Sequence, residues 1–177
     1  MQHELVIAGF GGQGVLTAGQ ILGYAAMEEG YNVVWLPSYG PEMRGGTANC
    51  SVVISDKPIA SPIVPTPGIA IVMNNPSIEK FGPAVRTGGL LIINSSLINI
   101  ECTRTDIKQI KIPANQIALD CGNGRIANMV ILGALLGAKG IVNFEVLKAA
   151  VSKKFANKPA VVELNVKGMQ AGYDIAA

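Results

Sequence analysis

Apolar and polar positions along the chain alternate between a period of two and a period near 3.6. Glu4 to Ala8 is a brief apolar run that stops at Gly9, and beyond a glycine cluster Val15, Leu16, Ala18, Ile21, Leu22, Ala25 and Ala26 recur at helical spacing. The pattern predicts strand, tight turn, helix. Gly30, after Glu28 and Glu29, is placed to cap that helix, and the β-rich run Tyr31 to Leu36 follows. The first 36 residues thus predict a βαβ unit with a parallel strand pair. Pro37 to Gly46 is dense in proline and glycine and reads as a loop off the C-terminal end of the second strand, where open α/β sheets carry functional loops.

From Thr47 to Ser55 the chain alternates, with Ala48, Cys50, Val52 and Ile54 on one face and Asn49, Ser51 and Val53 on the other. A strand with one more polar side admits antiparallel pairing. Lys57 to Gly68 holds four prolines and reads as an irregular excursion. Ile69 to Met73 and Leu90 to Asn94 then predict buried strands around a helix from about Ser77 to Arg86, and Ile107 to Ile112 a further strand. Arg125 to Lys139 is an apolar helix in which Ala127, Gly133, Ala134 and Gly137 permit close approach of a neighbour. Phe144 to Phe155 is amphipathic, and a last helix runs from Pro159 toward Tyr173. The fold expected is α/β, a three-layer α/β/α sandwich of Rossmann-like type, its sheet mostly parallel and open to mixed pairing.

Composition narrows this picture. At 177 residues the chain suits one domain, 1–177. Hydrophobic residues reach 49% while charged ones stop at 15%, against roughly 25% in an ordinary soluble domain, so a second, buried protein surface is expected. The net charge of +2 is spread without a basic stripe, which argues against nucleic acid. Cys50, Cys102 and Cys121 lack the C-x-x-C spacing that brings two thiolates onto one metal, so a cluster held by this chain alone is not expected. The start Met1-Gln2-His3-Glu4 has no cationic leader, and the longest apolar stretch, Ile126 to Ala138, is shorter than the roughly 20 residues of a membrane span. A soluble, cytoplasmic protein is expected.

The sharpest chemistry lies at Gly9-Phe10-Gly11-Gly12-Gln13-Gly14, a G-x-G-x-x-G at a strand-to-helix turn, where bare backbone approaches a phosphate and unpaired helix amides donate to it. The competing reading is a turn that only packs the first helix on the sheet, with Gln13 facing solvent. A dinucleotide site also needs an acid near the end of the second strand; Val33 to Leu36 and Pro37-Ser38 provide none, which counts against NAD. The second constellation, Ser38-Tyr39-Gly40-Pro41-Glu42-Met43-Arg44-Gly45-Gly46, leaves the same sheet edge. Arg44 offers a planar fork for phosphate or carboxylate, and Gly45 and Gly46 offer amides; alternatively Arg44 pairs with Glu42 or a partner subunit. The only histidine, His3, starts the first strand and suits a surface position better than a general base, and there is no G-x-S-x-G elbow. Asn128, in the apolar helix, needs partners, either a hydrogen bond in the core or at an interface or, as the second reading, a ligand; Asn74 and Asn75, just after a strand, leave the same choice.

Gly11-Gly12-Gln13-Gly14, the S-Y-G-P-x-x-R-G-G loop from Ser38 to Gly46, and Ile126-Ala127-Asn128-Met129 with Leu132-Gly133-Ala134 together resemble the gamma subunit of the 2-oxoacid:ferredoxin oxidoreductases, in order and over essentially the whole chain. The S-Y-G-P form resembles the 2-oxoglutarate or branched-chain (ketoisovalerate) members more than the pyruvate ones. The resemblance implies one component of a cytoplasmic hetero-oligomeric enzyme. In it, thiamine diphosphate on other subunits decarboxylates a 2-oxoacid, iron-sulfur clusters on other subunits pass electrons to ferredoxin, and coenzyme A takes the acyl group. It implies no catalytic residue and no metal on this chain, and an edge that contacts coenzyme A or covers the thiamine site. The residues expected there are Gly9, Gly11, Gly12, Gln13, Gly14, Ser38, Tyr39, Arg44, Gly45 and Gly46. Two other classes compete: a structural docking subunit whose glycine loops only pack, and a free-standing nucleotide-dependent oxidoreductase, which lacks its ribose acid and proton donor.

Overall fold

The computed structural model describes residues 1–39 and 47–177. Six strands, β1 (Gln2–Phe10), β2 (Asn32–Tyr39), β3 (Thr47–Ser55), β4 (Ile69–Val72), β5 (Leu90–Asn94) and β6 (Lys108–Ile112), form one sheet in the order β2-β3-β1-β4-β5-β6. β1, β4, β5 and β6 pair in parallel, while β3 runs antiparallel to both β1 and β2. The mostly parallel sheet with mixed pairing is as expected. The βαβ unit is not a neighbouring pair, however: β1 and β2 share a direction, but β3 lies between them. The inserted strand bonds along its length to both, from Phe10 opposite Thr47 to Gln2 opposite Ser55 on one side and from Tyr39 opposite Ala48 to Asn32 opposite Ser55 on the other.

Among the described residues six α-helices accompany the sheet: α1 (Val15–Glu28), α2 (Asn75–Phe81), α3 (Ala114–Cys121), α4 (Ala127–Ala138), α5 (Phe144–Lys154) and α6 (Pro159–Ala176). α1 ends as expected at Gly30, whose φ of +88° only glycine adopts cheaply; its N–H reaches the Met27 carbonyl (2.9 Å) and the Tyr31 N–H the Ala26 carbonyl (3.1 Å). α2 stops at Phe81, short of Arg86. Gly82 and Pro83 follow, and the Arg104 guanidinium takes up the freed carbonyls of Gly82 (3.3 Å) and Pro83 (3.2 Å). β2 continues through Pro37, placed at the start of a loop by its sequence, because β2 is an edge strand and the missing N–H costs no central ladder bond.

The alternation along the strands divides the core. Leu5 and Ile7 of β1, Cys50, Val52 and Ile54 of β3, Ile69 and Ile71 of β4 and Ile92 of β5 are buried on the face that carries α1 and α4. On the other face, Ala70, Val72, Leu91 and Ile93 meet Ile78 of α2 together with Val85, Ile98 and Ile107 in a smaller cluster. α4 and α6 pack backbone to backbone: a Cβ at Gly133 would lie 1.9 Å from the Met169 carbonyl, and one at Gly172 1.9 Å from that of Val130. The small residues of the apolar helix are thus spent on an internal neighbour, which makes this pair a rigid platform beside the start of α1. Among the described residues no helix is long and apolar enough to cross a membrane.

Candidate functional site

β1 delivers the chain to the C-terminal edge of the sheet, and the turn into α1 is built for exposed backbone. Gly12 (φ +92°) and Gly14 (φ +74°) are both left-handed. A Cβ at Gly12 would meet nothing within 4 Å, so this lip is open space. Gly14 is the N-cap of α1 and has no side chain to close the helix end; the first turn carries no acidic residue. The amides of Val15, Leu16 and Thr17 therefore have no intrahelical acceptor, and the helix dipole favours an anion in front of them.

The turn's two flanks are treated differently. Toward β4, the Gln13 side chain bridges the gap: its Oε1 accepts from the Phe10 N–H (2.6 Å) and its Nε2 donates to the Met73 carbonyl (3.3 Å). This is the crevice between β1 and β4, where the strand order reverses and a doubly wound fold usually takes its ligand. Gly9 is buried beneath the staple, and a Cβ there would sit 2.5 Å from Gln13 Oε1 and 2.9 Å from Met73 Cβ. Toward β3, a cavity of about 350 Å³ opens, lined by Phe10, Gly11, Gly12, Gly14, the first turn of α1 and Ala48. Asn128, in the first turn of α4, donates its Nδ2 to the Gly14 carbonyl (3.1 Å).

The expected site residues divide accordingly. Gly11, Gly12 and Gly14 line the cavity; Gly9 and Gln13 lie behind it, with Gln13 turned inward on the protein instead of facing solvent. Ser38 pairs with Asn49, so its side chain falls on the sheet face opposite Ala48 and α1, while Tyr39 is level with Ala48. The end of β2 therefore lies two strand spacings, about 10 Å, from that of β1. Arg44, Gly45 and Gly46 lie outside the described residues. The patterns pointed to the glycines and singled out Asn128; Thr17 and Ala48 carried no signal beyond their places in a helix and a strand.

Other candidates are poorer. A larger cavity, about 570 Å³, lies between α1 and α5 at Tyr24 and Val146, roughly 15 Å along α1 from Gly14, and its rim is spanned by the Glu28–Lys153 ion pair. The charged groups on that rim are already engaged, Glu28 with Lys153, Glu145 with Lys148 and Lys154 with Gln20, which leaves little charge to fix a ligand there. His3 is about 24 Å down β1 from Phe10, and partial burial, then Lys139 and the chain's amino terminus, hold its pKa below the ordinary value. Burial pushes the Cys50 thiol up to about 12 against the indole N–H of Trp35, so it stays a thiol at neutral pH. Among the described residues, no three His, Cys, Asp or Glu side chains gather as a metal site.

Residues 4–175 match the family described as pyruvate ferredoxin/flavodoxin oxidoreductase. The chain is 40% identical over 95% of its length to the ketoisovalerate oxidoreductase subunit VorA of Methanothermobacter marburgensis, but it spans only 35% of that protein. It superimposes with a TM-score of 0.85 and 31% identity on the keto/oxoacid ferredoxin oxidoreductase gamma subunit of Geobacter sulfurreducens, covering 98% of both chains. It shares its fold, at a TM-score of 0.90 and 24% identity, with a 2-oxoglutarate:ferredoxin oxidoreductase from Magnetococcus marinus with 2-oxoglutarate, coenzyme A and succinyl-CoA bound, covering 99% of this chain and 31% of that one.

Proposed function

Because the chain belongs to the pyruvate ferredoxin/flavodoxin oxidoreductase family, we propose that it acts as the gamma-type subunit of a multi-subunit 2-oxoacid:ferredoxin oxidoreductase and contributes a phosphate-binding edge for coenzyme A. The overall reaction joins a 2-oxoacid, coenzyme A and oxidised ferredoxin to give acyl-CoA, carbon dioxide and reduced ferredoxin. The substrate is of the 2-oxoglutarate or branched-chain class. Thiamine diphosphate and iron-sulfur clusters on partner subunits supply decarboxylation and electron transfer, and the chain alone is inactive.

One observation carries the binding role: the uncapped start of α1 faces an open cavity through Gly11, Gly12 and Gly14, with no carboxylate in the first turn to repel a phosphate. Gln13 supports the edge by stapling the turn; Tyr39 and the main chain of Ser38 at the end of β2, with Arg44, Gly45 and Gly46 after them in sequence, are the further residues proposed for it, Arg44 to supply the positive charge. The test is a coenzyme A titration of the full chain and of the reassembled complex, followed by thermal stabilisation, with wild type against Arg44→Ala. Stabilisation by coenzyme A, weakened about tenfold in Kd by the substitution, is expected. A subunit that melts at the same temperature with and without coenzyme A in both settings would instead be a docking module.

A further inference from the structure

Asn128 has a second task that the fold alone does not require. α4 is already fixed by its backbone contacts to α6, and a carboxamide near its start could end in solvent at little cost. Instead, Asn128 Nδ2 crosses to the Gly14 carbonyl, 114 residues away in sequence, at 3.1 Å. The same oxygen accepts the first helical bond of α1, from the Ala18 N–H at 3.0 Å. Both lone pairs of that carbonyl are therefore used, and its direction is fixed from two sides. A Cβ at Gly14 would stand 2.4 Å from Asn128 Nδ2, so the contact also depends on glycine at this position. Because Gly14 is the N-cap, the orientation of its peptide sets where the amides of Val15, Leu16 and Thr17 aim. Gln13 fixes the front of the turn to β1 and β4, and Asn128 fixes the back of it to the α4/α6 platform, leaving Gly11 and Gly12 as an open lip between two anchors.

We infer that Asn128 is a positioning residue for the phosphate edge, aiming the first-turn amides of α1 through the Gly14 carbonyl without touching the ligand. This rests on the coenzyme A reading above, and the readouts separate the two. Asn128→Ala and the isosteric Asn128→Asp, which keeps the shape and loses the donor, are compared with Asn165→Ala. Asn165 is a buried amide of α6 whose Nδ2 bonds the Val161 carbonyl of its own helix at 2.9 Å and makes no bond to the turn. In the reassembled complex, both Asn128 variants should raise the KM for coenzyme A about tenfold with kcat within about twofold, while Asn165→Ala lowers the melting temperature and leaves that KM in place. In the full chain without ligand, hydrogen-exchange protection of the Ala18 amide should fall about tenfold in both Asn128 variants and hold in Asn165→Ala. Unchanged Ala18 protection and an unchanged KM in Asn128→Asp overturn the inference while leaving the coenzyme A reading intact. A wild-type chain and complex indifferent to coenzyme A overturn that reading, and the Ala18 protection still decides whether Asn128 holds the turn.

Discussion

The two flanks of β1 receive the same glycine-rich turn and use it in opposite ways. On the β4 side, the crevice that a dinucleotide-binding fold leaves open is stapled by Gln13 to Phe10 and Met73. On the β3 side, the inserted antiparallel strand begins at Thr47 opposite Phe10, and a cavity lined by Ala48 and the first turn of α1 lies beside it. The glycine pattern alone therefore does not decide which flank is open. That is set by Gln13, which closes the β4 side, while Asn128 holds the N-cap from behind.

The largest effect expected from breaking this arrangement is at Gly14. Gly14→Ala forces a left-handed residue and a collision with Asn128, and should lower stability by about 2–4 kcal/mol. Gly12→Ala shares the positive φ but has empty space around it, so it should cost only about 1 kcal/mol. Denaturant unfolding of the two variants measures the difference; equal losses would mean that the Asn128 contact does not constrain the turn. Gln13→Ala comes next. It frees one amide and one carbonyl at the β4 flank and should cost about 1–2 kcal/mol, read by the same unfolding curves. Its loss should exceed that of an exposed change such as Gln170→Ala on α6.

The smallest effect lies at the far end of β1. Burial holds the His3 pKa below its ordinary 6.5 in the folded chain, so between the two values the unfolded chain binds more protons. Stability from this group is therefore retained above about pH 6.5 and lost as the pH falls toward the folded value. Melting curves from pH 7.5 to 5.5 should show wild type losing ground to His3→Gln, with no difference at the alkaline end. A gap that widens with rising pH would contradict the sign.

Much of the frame was legible. The βαβ opening, the alternation of β3 and the small-residue helix α4 follow from periods of two and 3.6 that tertiary packing reinforced. The place of β3 between β1 and β2 was not legible, because periodicity assigns faces within a strand and says nothing about which strand is its neighbour. α3 went unread although Ala114, Ile117, Ala118 and Cys121 keep helical spacing; the interspersed Asn115, Gln116 and Asp120 dilute an eight-residue pattern, and burial of Ala114 and Ala118 secures it in the fold. At the site, the glycines announced the turn because their backbone role is local. Gln13 and Asn128 act on partners 60 and 114 residues away, and no spacing rule reaches that far.

In the function proposed above, an anionic ligand meets the turn from the β3 flank. The decisive measurement follows backbone amide shifts of the full chain while coenzyme A is added. Gly11, Gly12, Val15, Leu16, Thr17 and Ala48 should move together while Asn74 and Asn75, beyond the Gln13 staple, stay in place. Movement centred on Asn74 and Asn75, with the first turn of α1 silent, would place the ligand on the other flank.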